Sequence, residues 1–62
     1  MKIDNQKFEI AMAKACLTSS DLSKISGVSA FTISRIQTNN EMLPSTIGRI
    51  AKALKVPVEE LI

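Results

Sequence analysis

Two residues of this chain, Phe31 and Arg35, carry chemistry that packing alone does not explain. They stand four positions apart in SAFTISRIQ. Residues advance about 100° around a helix. With Ile33 and Ile36 turned inward, Phe31 and Arg35 therefore share the opposite, outer face. Ser34 lies beside them, with Ala30 and Thr32 on the flanks. An arginine guanidinium can bond O6 and N7 of one guanine together, worth roughly 1–3 kcal/mol of discrimination. Phenylalanine cannot hydrogen-bond, but it packs on thymine C5-methyl groups. The competing roles are a solvated arginine or a rim ion pair with Glu41, and a phenylalanine that covers a core edge or a protein partner.

Other chemistries lack their parts. The chain has no histidine, so it offers no imidazole base or metal ligand. One cysteine, Cys16, can build neither a zinc site nor an internal disulfide. Nothing near Cys16 in sequence marks it as a redox-sensing thiol. Gly27 and Gly48 are isolated, so there is no glycine-rich phosphate loop. Asp4, Glu9, Asp21, Glu41, Glu59 and Glu60 read as caps, dipole partners and solvated faces rather than a catalytic pair. Neither enzyme activity nor a cofactor or metal is expected.

The outer face needs elements to hold it, and residues 18–36, TSSDLSKISGVSAFTISRI, supply them. Thr18 is an N-cap candidate, and Asp21 puts a carboxylate in the first turn, where the helix dipole favours it. Leu22 and Ile25 are expected on the inward side of this helix. Gly27 sits where the chain must turn, and glycine reaches positive φ without steric cost. Ser29 then caps a second helix only two residues later. So short a turn forces the helices to cross steeply and leaves one face of the second helix outside, the geometry of a helix-turn-helix that reads DNA.

This stretch resembles the helix-turn-helix of the phage-repressor and Cro-like family of bacterial regulators. Small Ser23 stands where the family wants close helix approach, Gly27 holds the turn, and Val28, Ile33 and Ile36 hold apolar core positions. LPSTIGRIAKALKVPVEELI is similar to the family's fourth and fifth helices, so the resemblance covers about the whole chain. It implies an all-α, compact five-helix domain of the lambda-repressor-like kind. Several positions depart from the family. Ser26 replaces a larger apolar residue or alanine, which weakens the local core. Cys16 replaces the glycine that often ends the first helix. Met12 and Gln37 replace an ion pair, and the loop reading NNEML lacks the usual cations. Few cations mean few displaced counterions and a shallow salt dependence, so binding is expected to rely on dimerisation.

The remaining residues fit that plan. Asp4 or Asn5 caps a first helix to about Cys16, with Phe8, Ala11, Met12 and Ala15 as its inward stripe. The second helix is expected over about 19–26 and the third over about 30–37. Thr38, Asn39 and Asn40 form a polar loop. A fourth helix over about 46–55 repeats the spacing at Ile47, Ile50, Ala51 and Leu54. Gly48 inside it suggests close backbone packing, since glycine costs about 1 kcal/mol against alanine there. Pro57 opens a short final helix. Composition agrees: 62 residues, 45% apolar and 23% charged, form one domain (1–62) near the lower size limit for independent folding. No signal-peptide-like or membrane-spanning run is visible. The apolar Leu61-Ile62 end leaves open that the domain was trimmed from a longer protein.

The net charge of +2 and an isoelectric point of about 9.0 are compatible with a nucleic-acid partner without requiring one. In the resembling family, bases are read from the start and second turn of the third helix. Those positions are Ala30, Phe31 and Arg35 here, with Thr32 and Ser34 beside them. Phosphates would be held by Thr18, Ser19 and Ser20 at an open helix start, by Ser29, and by Asn39, Asn40 and Ser45 at family backbone-contact positions. Met42 and Leu43 are apolar in a surface loop. Either one folds onto the core, or both join Val58 and Leu61 in the homodimer seam that related repressors use. The expected partner is double-stranded DNA, bound by a homodimeric transcription regulator, most simply a repressor, in a reducing cytoplasm at the nucleoid. The alternatives are a protein-interaction module of the same fold, or an antitoxin that meets a toxin; an antirepressor is a further possible partner.

Overall fold

The computed structural model describes residues 1–39 and 41–62, so the expectation placed on Asn40 lies outside the described residues. Four α-helices follow one another: α1 (Asn5–Ala15), α2 (Ser19–Ser26), α3 (Ala30–Ser34) and α4 (Pro44–Leu54). Two 3-10 turns, Arg35–Gln37 and Val58–Glu60, complete the regular structure. Among the described residues, extended pairing is limited to one antiparallel bridge between Lys2 and Glu41. No described helix is long and apolar enough to cross a membrane.

Local chemistry sets most boundaries. Asp4 caps α1 by accepting the Lys7 N–H at 2.9 Å. Pro44 takes the first position of α4, two residues earlier than expected, because its missing N–H would be unpaired there anyway. Both long helices end on left-handed residues that are not glycine. Cys16 (φ 56°) closes α1, with its N–H on Ala13 O and the Leu17 N–H on Met12 O. Lys55 (φ 59°) closes α4 the same way, with the Val56 N–H on Ala51 O.

The core gathers Phe8 and Ala11 of α1, Leu22 of α2, Val28 of the turn, Ile33 and Ile36, and the stripe Ile47, Ile50, Ala51 and Leu54 of α4. Ile3 and Leu61 are fully buried with them, although they lie outside the α-helices. The N-terminal segment is tied down by the Asp4 N–H to Leu61 O (2.6 Å) and by the Met42 N–H to Met1 O (2.8 Å). Residues 1–4 thus clamp both the loop before α4 and the end of the chain.

Four expectations change. The fifth helix is the three-residue 3-10 turn Val58–Glu60, because Leu61 turns into the core and its carbonyl is taken by Asp4. The third helix tightens to 3-10 geometry after Ser34. Gly48 does not mark a close approach: a Cβ built there meets no atom within 4 Å beyond its chain neighbours and its own helix backbone. Ile25 is 59% exposed rather than inward. The inward side of α2 is centred on Leu22 with half-buried Ser23 and Ser26, whose hydroxyls bind the following turn, and this rotates Ile25 outward.

Candidate nucleic-acid interface

The α2–α3 turn is held by serine hydroxyls together with one buried apolar side chain, Val28. Gly27 adopts φ 75°, and its N–H donates to Ser23 O at 3.0 Å. The Ser26 hydroxyl donates to Leu22 O (2.6 Å) and accepts the Val28 N–H (3.1 Å). The Ser23 hydroxyl donates to Val28 O at 2.7 Å. Val28 is buried between them and anchors the turn to the core. Ser26 therefore ties the end of α2 to the turn through its hydroxyl, bonds that an alanine could not make. Ser29 then caps α3 by accepting the Thr32 N–H at 3.2 Å.

With Ile33 and Ile36 in the core, α3 presents Ala30, Phe31 and Ser34 outward, and the 3-10 turn that continues it presents Arg35. Phe31 is 69% exposed, and the Arg35 guanidinium carbon lies 5.5 Å from its ring centroid. That is cation–π distance, and the stack limits where the guanidinium can swing. The Ser34 hydroxyl donates to Phe31 O at 2.8 Å. Thr32 is half-buried and its hydroxyl is shared with Ser29 (2.9 Å), so it is the least available of the five candidate readers. Among the described residues Glu41 pairs with the terminal ammonium of Met1 (3.6 Å) rather than with Arg35.

The candidate phosphate contacts fall on both sides of α3. At the start of α2, Thr18 and Asp21 form a reciprocal capping box, each side chain accepting the other's backbone N–H at 3.1 Å. The Asp21 carboxyl is held below its ordinary range, first by the Thr18 backbone N–H, then by the Thr18 hydroxyl. This box puts a carboxylate where a phosphate would approach, and leaves the exposed Ser19 and Ser20 as the free hydroxyls of that turn. On the other side, Asn39 accepts the Glu41 N–H through Oδ1 (3.2 Å), and its own N–H binds Arg35 O (2.7 Å). Ser45 is exposed in the first turn of α4, whose N-cap, Leu43, contributes no side-chain bond. A shallow depression lined by Thr32, Arg35, Asn39, Leu43 and Thr46 joins the guanidinium to this helix start.

The four candidate seam residues differ in exposure. Leu43 is 70% exposed, while Met42 and Val58 are half-buried against the core. Leu61 is fully buried inside its own protomer and has no side-chain surface for a second copy. Sequence reasoning missed Ile3, because four residues before a helix carry no periodic signal. It could have found the Phe31–Arg35 stack, since i, i+4 is contact spacing on a helix.

No curated protein and no solved structure matches the chain. A family model described as the Cro/C1-type HTH DNA-binding domain matches residues 7–62, from the first turn of α1 to the last residue. A short hydroxyl-locked turn, an outward α3 and a match over nearly the whole chain agree: this protein belongs to the Cro/C1-type helix-turn-helix DNA-binding domains.

Proposed function

We propose that this domain regulates transcription, as a repressor, by placing α3 and the following 3-10 turn in the major groove of a two-fold symmetric operator. The observation that carries this reading is the exposed Phe31–Arg35 stack on the outer side of α3. Arg35 reads guanine through O6 and N7, and Phe31 packs on a neighbouring thymine methyl. Ala30 and Ser34 border these contacts. Ser19, Ser20, Ser29, Asn39 and Ser45 position the backbone. A homodimer sets two recognition helices about 34 Å apart, one turn of DNA, with Leu43 as the exposed centre of its seam.

Selection from a randomised duplex pool at two salt concentrations tests this. A two-fold symmetric motif is expected, and Arg35→Ala should relax one base pair in each half-site. An unchanged motif in Arg35→Ala refutes the assignment of the reader. Absence of binding at low salt moves the reading to a protein-interaction module, which the exposed Phe31 and Leu43 side chains would then serve.

A further inference from the structure

The C-terminal ends of α1, α2 and α4 converge on a groove distinct from the α3 face. Its apolar lining is Ala15 and Leu17 after α1, Ile25 of α2, and Ala53 and Val56 at the end of α4. Ile25 and Ala53 are shared with an adjoining depression that extends the groove to Ser26, Arg49 and Lys52. None of these residues lines the depression beside Arg35. Burial of a β-branched side chain the size of Ile25 is favourable, so its 59% exposure leaves a contact unused.

The rim has a definite charge. Lys14, Lys55, Lys52 and Arg49 all line it, half of the eight cations in the chain. No aspartate or glutamate does so among the described residues. Lys14 lies 3.9 Å from Glu60, which offsets one positive charge. Each helix end contributes roughly half a negative charge, so three ends and Glu60 together still leave the rim positive.

We infer that this groove docks an acidic amphipathic helix of another protein, with apolar side chains on Ile25 and carboxylates on the lysine and arginine rim. An apolar floor selects a helix by its i, i+3, i+4 anchors, and the rim selects the sign of its charge. A regulator that reads DNA through α3 would thus keep a second face free for a protein that modulates it.

The test is selection of displayed random 16-residue peptides against the whole chain, with the Ile25→Ser and Lys52→Glu/Lys55→Glu variants in parallel. All three proteins are first checked for native helicity. The expected peptides combine Asp or Glu with apolar residues at helical spacing and bind less tightly at high salt. Ile25→Ser should weaken the best peptide at least about tenfold, while duplex DNA binding is unchanged. Peptides without acidic bias, no enriched peptide, or equal binding to the variants would each overturn the proposal. So would concentration-dependent self-association that Ile25→Ser abolishes, which would make the occupant a second copy. Loss of DNA affinity in Lys52→Glu/Lys55→Glu comparable to that in Arg35→Ala would reassign the rim to phosphate.

Discussion

The chain has two glycines, and replacing each by alanine should move stability in opposite directions. Gly48 lies inside α4, and a Cβ there meets no atom within 4 Å. Alanine at this position adds no clash and removes backbone freedom from the unfolded chain, which is worth about 0.8–1 kcal/mol in a helix interior. An unfolding entropy of about 2.1 cal/mol/K per residue gives roughly 130 cal/mol/K for this chain, so 1 kcal/mol raises Tm by about 8 °C. Gly27 also has open space around its missing Cβ, but its φ is +75°. There alanine pays the left-handed penalty of about 1–2 kcal/mol and Tm should fall by a comparable amount. Thermal and urea unfolding followed by helical circular dichroism measure both variants under one condition. A neutral or destabilised Gly48→Ala would mean that α4 packs more tightly at this turn than its surroundings indicate. Shifts of the same sign in both variants would refute the argument that φ, rather than space, separates the two positions.

Three further outcomes are expected. Cys16→Gly should stabilise the fold by about 1 kcal/mol, since glycine takes the φ of 56° without strain; an unchanged urea midpoint would contradict this. Asp21 has a lowered carboxyl pKa in the folded state, so its cap stabilises fully above the unfolded value of about 3.9 and is lost as pH falls through the folded one. The Tm gap between wild type and Asp21→Asn should therefore be constant above about pH 5 and shrink below about pH 4. A gap independent of pH would show that the carboxylate charge contributes nothing. Arg35→Lys should keep the salt dependence of DNA binding and lose preference at one base pair per half-site, because lysine keeps the charge without the planar fork. A retained preference in the selected pool would exclude bidentate readout.

Ser23 and Ser26 are half-buried, and each binds backbone of the turn segment. Substitutions there change the presentation of α3 rather than its chemistry, so they belong with stability controls and not with base-reading variants.

Much of this architecture is local and therefore legible in sequence. Thr18 and Asp21, Gly27, and Ser29 each act through bonds or dihedrals within three residues, so their spacing determines the two helices and the turn between them. The outer placement of Phe31 and Arg35 follows from helical periodicity once Ile33 and Ile36 are inward. What only the tertiary structure decided is long-range. Ile3 and Leu61 become core because the two ends of the chain meet through the Asp4 N–H and the Leu61 carbonyl. That contact also goes with a 3-10 turn in place of a fifth helix and with a fully buried Leu61 side chain. Ile25 was expected inward on apolar character, yet the side of α2 that faces the turn is set by the hydroxyls of Ser23 and Ser26. Apolar spacing identifies a helix, but which of its sides is covered depends on neighbours distant in sequence, and three converging helix ends leave Ile25 uncovered.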